Sequence, residues 1–163
     1  MKPATEKDIS LIQELARKSW KNAYSEILSK AQIDFMLETM YSAKMLNLHI
    51  CENPNYRYFL ISDNGNFVGF VGFEHHYENL TTKLHRIYLL TEAKGKGLGK
   101  MSIDFLKNET RKSGDKRIIL TVNKNNPVKN FYEKLGFQIY GEAIFDIGNG
   151  FVMDDFLMEF LSA

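Results

Sequence analysis

The sequence predicts one mixed α/β domain. Apolar residues keep helical spacing in the N-terminal third, and the period then changes to short runs rich in aromatic and β-branched residues. No long Gly/Ser/Pro linker, repeat or low-complexity tract divides the 163 residues. With 44% hydrophobic and 25% charged residues, the composition is that of a compact domain with a sizeable core. We therefore expect a single domain over residues 1–163.

The N-terminal third is predicted to be helical. Thr5 followed by Asp8 resembles a capping box, and the apolar positions after it predict a first helix over about residues 6–24. Ser29 and Ser42 are placed to cap a second and a third helix, both short. Only residues 1–4 remain to form a first strand.

The middle of the chain is predicted to begin with a β-hairpin. Residues 57–62 and 67–73 favour strands, and the residues of 63–66 between them tolerate positive φ. A third strand over about 83–90 runs into a glycine-rich stretch. A helix then follows and closes near Gly114.

The C-terminal part is predicted to alternate strands with one helix. Residues 117–122 form a mostly apolar strand, Pro127 sits where a helix begins, and Gly136 ends that helix. Two further strands over 137–145 and 151–160 are joined by a turn at 148–150.

The composition also limits the setting and the partners. Cys51 is the lone cysteine and cannot form an internal disulfide, and the first residues lack the apolar core of a signal peptide. No apolar run approaches the ~20 residues that cross a bilayer. The net charge of +1 gives no overall attraction to nucleic acid or to an anionic membrane. We expect a cytoplasmic protein whose partners include neither nucleic acid nor membrane.

The near-neutral total hides an uneven distribution of charge. Residues 94–117 carry eight basic side chains against three acidic ones, whereas residues 141–163 carry five acidic side chains and no Lys or Arg. Solvated surface charge explains this pattern as well as a ligand does. If the substrate is a cationic amine, its distal ammonium groups could be held by Asp146, Asp154, Asp155, Glu26 or Glu38. Asp154 and Asp155 face opposite ways on a strand, so at most one of them faces a given cleft.

A glycine turn between a predicted strand and a predicted helix is the main candidate for ligand binding. Its residues run from Lys94 to Lys100, with Gly95, Gly97 and Gly99 at alternate positions. Backbone amides at such a turn, together with the N-terminus of the helix behind it, suit a phosphate. The spacing of the glycines excludes a P-loop, and Lys100 stands where a dinucleotide fingerprint needs Gly or Ala.

Two segments of the chain resemble the Gcn5-related N-acetyltransferase family. Lys94-x-x-Gly97-x-Gly99 is similar to its acetyl-CoA pyrophosphate loop, with Lys94 in place of the usual Arg or Gln. Residues 125–137 are similar to its Asn-x-x-Ala-x-x-Phe-Tyr-x-x-x-Gly-Phe segment, with Val128 at the Ala position. The resemblance implies a mixed, mostly antiparallel central sheet with helices on both faces.

The chain is also similar to the polyamine acetyltransferase (PaiA-like) branch of that family. Trp20, Tyr24, residues 27–29 and residues 146–151 carry this similarity. The resemblance implies acetyl-CoA as co-substrate, no metal, and an amine as acceptor, and it is compatible with a homodimer.

The resemblance also implies a set of cofactor-binding residues. A strand before the glycine loop lines the pantetheine, and the backbone N–H of Leu89 is the expected oxyanion donor. The implied set is Ile87, Leu89, Lys94, Gly95, Lys96, Gly97, Leu98, Gly99, Lys100, Asn125, Phe131 and Tyr132.

Two side chains are the catalytic candidates. The resemblance places Tyr132 beside the sulfur of CoA, where a phenol that is protonated at neutral pH can donate to the departing thiolate. His85 is the candidate base, since many relatives have Glu near this position and a histidine titrates close to neutral pH. Strand alternation predicts that His85, Ile87 and Leu89 share one face. Weaker alternatives for the base are Glu74, His75 and His76.

The function expected from these residues is acetyl transfer from acetyl-CoA to a primary amine by direct attack on the thioester. A small cationic amine or polyamine is favoured, because of the acidic tail and the similar branch. Two alternatives stay open. The acceptor could be a protein or peptide amine, or the chain could bind acetyl-CoA without turnover as a regulatory module.

Overall fold

The computed structural model of the protein describes residues 1–162, and it confirms the predicted mixed α/β fold. The helices are α1 (Ile9–Tyr24), α2 (Lys30–Met40), α3 (Ala43–Asn47), α4 (Leu98–Ser113) and α5 (Lys129–Lys134). The strands are β1 (Lys2–Pro3), β2 (Tyr56–Asp63), β3 (Asn66–Glu78), β4 (Thr81–Leu89), β5 (Arg117–Asn123), β6 (Gln138–Gly148) and β7 (Phe151–Leu161).

The caps that the sequence predicts are present. Thr5 and Asp8 form the capping box, with the Thr5 N–H donating to Asp8 Oδ2 at 2.9 Å. The hydroxyl of Ser29 accepts from the N–H of Gln32 at the start of α2, and Ser42 does the same at α3. At the other end of α4, Gly114 takes the left-handed conformation with φ of 87° and closes the helix.

Seven strands form one sheet in the order β1-β2-β3-β4-β5-β7-β6. All neighbouring pairs are antiparallel except β4 and β5, which run parallel. That pairing covers only Thr81–Lys83 of β4 and Arg117–Ile119 of β5. Beyond these residues the two strands separate, so the sheet opens in its middle.

Each face of the sheet carries its own hydrophobic core. α1, α2 and α3 cover one face, where Ile12, Trp20 and Leu46 are fully buried against the sheet. α4 and α5 cover the other face, where Ile103, Leu106 and Tyr132 pack on residues of β3, β4 and β5. Alternate residues of β3 contribute to the two cores. Phe70 packs in the core under α1, α2 and α3, and Val71 packs in the core under α4 and α5.

No helix within residues 1–162 combines the length and the apolar character that a bilayer crossing requires. Cys51 is exposed in a π-helical turn, Leu48–Glu52, between α3 and β2. Among the same residues, His, Cys, Asp and Glu side chains form no group of three that could hold a metal ion.

Candidate active site

The opening between β4 and β5 forms a cleft of about 610 Å³. Its walls come from both strands, from the C-terminal half of α1, from the glycine loop and from α5. Because α1 lies on one face of the sheet while α4 and α5 lie on the other, the cleft passes between the two faces. A ligand held at the glycine loop can therefore reach the α1 side through the gap in the sheet.

The glycine loop forms one end of the cleft and has the geometry of an anion site. Gly95 and Gly97 adopt left-handed φ values of 78° and 76°, with open space where a Cβ would stand. Gly97 is the N-cap of α4, so the N–H groups of the first helical turn have no partner within the helix. These amides and the dipole of a 16-residue helix fit the pyrophosphate of coenzyme A.

At Gly99 a side chain would crowd the neighbouring residues. A Cβ at this position would lie 3.2 Å from Cζ of Phe131 and 3.8 Å from Cδ1 of Leu89. The missing side chain lets the first turn of α4 approach α5 and the end of β4. The loop, Phe131 and Leu89 thereby form one continuous wall.

The edge of β4 forms a second wall. Since β5 pairs only with Thr81–Lys83, the backbone groups of later β4 residues that point toward β5 have no strand to bond. Ile87 and Leu89 lie in this stretch and line the cleft. An extended ligand such as the pantetheine arm can add there as a strand would.

The structure brings most of the predicted cofactor-binding residues to the cleft wall, but not all of them. Lys94 and Lys100 line the cleft, although Lys100 also forms an ion pair with Asp104 at 2.6 Å. Lys96 lies outside the wall and is ion-paired to Asp63 at 2.7 Å, on the β2–β3 hairpin. Asn125 is also outside it.

The neighbouring Asn126 lines the cleft in place of Asn125. The backbone N–H of Asn125 donates to Oδ1 of Asn123 at 2.9 Å, which fixes the turn that follows β5. The sequence predicted Asn125 and did not consider Asn126, because no local signal shows how this turn places the two residues relative to the cleft.

Tyr132 on α5 lines the cleft between the two faces of the sheet. It is 6% exposed, and its ring packs edge-on against Phe131 and Phe137. Burial raises the pKa of Tyr132 well above its usual value, and the neighbouring Tyr24 adds to the effect. The phenol is therefore protonated at physiological pH, so it can serve as a general acid but not as the initial general base.

The predicted alternation of β4 is wrong at His85. Arg86 pairs with Gly72 and Leu84 pairs with Phe73, so His85 is an extra residue in a β-bulge. Leu84 and Ile87 consequently pack into the core under α4, while His85 and Arg86 both contact Tyr56 on the opposite face. His85 thus does not share a face with Ile87, as regular alternation required.

The His85 imidazole is held by two neighbours. Its Nε2 lies 3.0 Å from Oε2 of Glu74, and its ring stacks on Tyr56 with the centroids 4.8 Å apart. Burial, together with the charges of Lys83 and Arg86, lowers the pKa of His85 to about 3. The ring is therefore neutral near pH 7, but it is a much weaker base than a free imidazole.

The other candidate bases lie away from the cleft wall. Glu74 bonds to His85 and to the side chain of Asn53, while His75 and His76 surround the carboxylate of Asp115. These contacts give both histidines structural partners at the far end of β3.

Arg86 is a buried cation that sequence reasoning missed. It is 6% exposed, and its Nη1 donates to the hydroxyls of Tyr56 at 2.8 Å and Tyr58 at 2.7 Å. Its guanidinium also lies over the ring of Tyr41, 4.8 Å from the centroid. Oxygen atoms and ring faces stabilise the charge here, and only the three-dimensional arrangement of the tyrosines could reveal this.

The α1 side of the cleft holds a polar group of residues that includes Tyr24, Tyr88 and Thr121. The hydroxyls of Tyr24 and Tyr88 are 3.1 Å apart. Asp155 on β7 stands behind this wall, 5% exposed, on the same face of the sheet as Met153 of the α1 core. In the sequence, the only signal for this residue was a pair of aspartates inside an apolar strand. In the structure Asp155 is the one that lies near the cleft, because Asp154 faces the other way and pairs with Lys124 at 2.9 Å.

Comparisons with known proteins agree with this geometry. The profile of the acetyltransferase (GNAT) family matches residues 11–137. A protein of Pseudomonas phage PaMx11, a 5-NmdU N-acetyltransferase, is 31% identical over 140 residues, which cover 80% of this chain and 91% of the phage protein.

Two solved structures share the fold across almost the whole chain. The PaiA N-acetyltransferase of Thermoplasma acidophilum, in complex with coenzyme A, is 26% identical with a TM-score of 0.82 and covers 97% of this chain and 95% of its own. A spermidine N-acetyltransferase SpeG chimera from Vibrio cholerae and hSSAT is 25% identical with a TM-score of 0.69, over 98% and 93% of the two chains. The chain belongs to the acetyltransferase (GNAT) family, and it is an N-acetyltransferase that takes its acetyl group from acetyl-CoA.

Proposed function

We propose that this N-acetyltransferase acetylates a primary amine on a small cationic molecule, with polyamines favoured. The observation that carries the proposal is the charge on the acceptor side of the cleft. Asp155 stands there as a buried carboxylate to which no Lys or Arg is ion-paired among the described residues. A protonated amine bound at the α1 side of the cleft would place a positive charge near this carboxylate, across the cleft wall.

The other acidic residues of the C-terminal tail have partners within the protein, which leaves Asp155 as the candidate for an amine. Glu142 and Asp154 pair with Lys124, and Glu159 pairs with Arg117. The carboxylate of Asp146 accepts from the N–H of Gly148 in the β6–β7 turn. The tail therefore offers no broad acidic surface to a basic peptide, which favours a small amine over a protein acceptor.

The chain's own residues divide the work along the cleft. Acetyl-CoA supplies an activated acyl group, and the glycine loop with the first turn of α4 would hold its pyrophosphate. The free edge of β4 would align the pantetheine, and the N–H of Leu89 would donate to the oxygen that becomes negative. Tyr132 would give its proton to the departing sulfur, and His85 and Asp155 are the two candidates for accepting the amine proton.

Two of the similar proteins carry the name of an acceptor, and the two acceptors are different. The spermidine N-acetyltransferase chimera bears the name of a polyamine acceptor, whereas the phage protein bears the name of 5-NmdU. Both acceptors therefore belong in the experiment that tests the proposal.

The test is a panel of amines assayed for CoA release with purified protein. Spermidine and spermine are compared with hexylamine, which has one amine and no second charge, and with 5-NmdU and a lysine-containing peptide. We expect the polyamines to give the highest kcat/KM and hexylamine to be at least tenfold lower. Preference for the peptide, or release no faster than hydrolysis for every amine, contradicts the proposal.

We further propose that the chain forms a homodimer. β6 is the edge strand of the sheet, and it leaves Ile144 70% exposed and Phe145 40% exposed, with Val152 of β7 52% exposed nearby. Apolar side chains on an unpaired edge are typical of an interface. Sedimentation velocity on the intact protein tests this, and a monomer at micromolar concentration contradicts it.

A further inference from the structure

Asp155 is a buried carboxylate on β7, the strand next to the β5 wall of the cleft. Among residues 1–162, no donor hydrogen-bonds to its Oδ1, and the residue is 5% exposed. A buried acceptor atom without a donor is costly and uncommon in folded proteins. Since it stands directly behind the cleft wall, this atom points to a ligand or a proton as the missing partner.

Thr121 connects Asp155 to the cleft. It is exposed on the cleft wall, on the strand that lies beside β7. Asp155 pairs with Asn123, two residues from Thr121, so the side chains of Thr121 and Asp155 lie on the same face of the sheet as diagonal neighbours. A hydroxyl can accept a proton on one side while it donates on the other. Thr121 thus lies between the buried carboxylate and the α1 side of the cleft, where its hydroxyl can pass a proton from one to the other.

The groups around Asp155 favour its acting near neutral pH. Burial, with a smaller contribution from the charge of Asp154, raises the pKa of Asp155 to about 6, although the Thr121 hydroxyl acts to lower it. The charge of Asp155 contributes to raising the pKa of Tyr24 on α1, whose hydroxyl lies 3.1 Å from that of Tyr88. Burial raises the pKa of both phenols and keeps them protonated. Lys124 is engaged with Asp154 and Glu142.

We infer that Asp155, acting through the Thr121 hydroxyl, takes up the proton that the acceptor amine releases before it attacks the thioester. This inference rests on the proposed function. Asp155 is then a positioning residue that acts through Thr121, and Thr121 is the group in contact with the amine. Asp155 is a stronger base than the His85 imidazole.

The proton transfers balance as follows. One N–H bond of the ammonium breaks toward the Thr121 oxygen while the Thr121 O–H proton passes to Asp155, which becomes a neutral acid. The electron pair left on nitrogen forms the C–N bond, and the C–S pair leaves with sulfur, which takes the proton of Tyr132. The second N–H proton, lost as the amide forms, restores Tyr132, and Asp155 releases its proton to solvent.

The first test is Asp155→Asn, measured with the most active amine of the panel between pH 5 and pH 9. In the unmodified protein, kcat/KM is expected to fall below about pH 6 as Asp155 becomes protonated. The variant should lose about 100-fold or more in kcat/KM and should lose this acidic limb. Asp34→Asn, which makes the same change at an exposed site on α2, serves as the matched control and should keep both.

The second test does not depend on a change in the core. Thr121→Val removes the hydroxyl at nearly the same volume, and Thr121→Ser retains it. Thr121→Val should lower kcat/KM at least tenfold, whereas Thr121→Ser should stay within about threefold of the unmodified protein. The comparison of these two variants tests the proton transfer through Thr121 even if Asp155→Asn fails to fold.

The outcomes separate the two proposals. An unmodified protein that acetylates no amine contradicts the proposed function. An active protein in which a folded Asp155→Asn keeps its rate and its acidic limb, or in which the two Thr121 variants behave alike, overturns the role of Asp155 alone. Binding of CoA, followed by calorimetry, shows which variants are folded.

Discussion

Asp115 holds His76 from two sides, across 39 positions of sequence. Its Oδ1 lies 2.8 Å from Nδ1 of the His76 ring, and its Oδ2 accepts from the His76 backbone N–H at 3.0 Å. The same Oδ2 accepts from the hydroxyl of Thr82 at 2.6 Å. The carboxylate therefore links β3, β4 and the turn before β5 beside the short parallel pairing, below the point where the sheet opens.

Replacing Asp115 by Asn should destabilise the fold. The variant keeps the shape but turns one acceptor oxygen into a donor that faces other donors. Hydrogen bonds to a buried charged group contribute about 1.5 to 3 kcal/mol each, so we expect the free energy of unfolding to fall by about 3 kcal/mol. Urea unfolding measures this, with Asp34→Asn as the exposed control. A change below about 0.5 kcal/mol contradicts the structural role of Asp115.

The same carboxylate should make stability depend on acid pH. Burial alone would raise the pKa of Asp115, but hydrogen bonds from His76 and Thr82 outweigh burial and leave the pKa below its usual value. A carboxyl group whose pKa is lowered in the folded state stabilises the protein at pH values above its unfolded pKa, which is about 3.9. That stabilisation is lost as the pH falls through the folded pKa.

We therefore expect the unmodified protein to lose stability more steeply than Asp115→Asn between about pH 4 and pH 2. Chemical unfolding at a series of pH values measures the two slopes. Equal slopes would show that Asp115 does not contribute.

Local signals predicted most of the fold, because caps, turns and periodicity act over a few residues. Ser29, Ser42 and Gly114 mark helix ends in the sequence, and all three do so in the structure. The bulge at His85 was not predictable in this way. It arises from the register of β4 against Gly72 and Phe73 of β3, and no signal within β4 carries that register.

The same distinction applies to the site. The glycine loop is a continuous segment, so Gly95, Gly97 and Gly99 could be recognised from sequence. Asp155 and Thr121 become neighbours only because β5 and β7 pair, which brings distant positions together. The sequence could therefore name Asp155 only as one of several acidic candidates, and its burial behind the cleft follows from this strand pairing.

Gly97 should matter for CoA binding beyond its effect on stability. An Ala at its φ of 76° costs about 1 to 2 kcal/mol in a left-handed conformation. Gly150 has φ of 77° in the β6–β7 turn, also with open space around it, so Gly150→Ala is the matched control. Both variants should lose similar stability, but only Gly97→Ala should weaken CoA binding, by about tenfold in calorimetry. Equal affinity in both variants would place the pyrophosphate elsewhere.

Tyr132→Phe should slow turnover without weakening CoA binding. The variant keeps the ring that packs on Phe131 and Phe137 and removes only the proton donor. Loss of a general acid lowers the rate by about 100-fold or more, so kcat should fall by that factor while the Kd for CoA changes less than twofold. Tyr140→Phe, at an exposed position on β6, is the control. Unchanged kcat in Tyr132→Phe rejects this role.

His85→Gln distinguishes the candidate that the sequence favours from the one that the structure favours. Since the pKa of His85 lies at about 3, its imidazole stays neutral between pH 5 and pH 9 and does not change its protonation near pH 6. It therefore cannot produce an acidic limb there. We expect the variant to keep kcat/KM within about fivefold and to keep the acidic limb, since Gln can still bond to Glu74. A loss of 100-fold together with loss of the limb would instead identify His85 as the base, and would show that ligand binding shifts its pKa far upward. Because Asp155→Asn predicts the opposite pattern, the pH profiles of the two variants assign the proton acceptor between them.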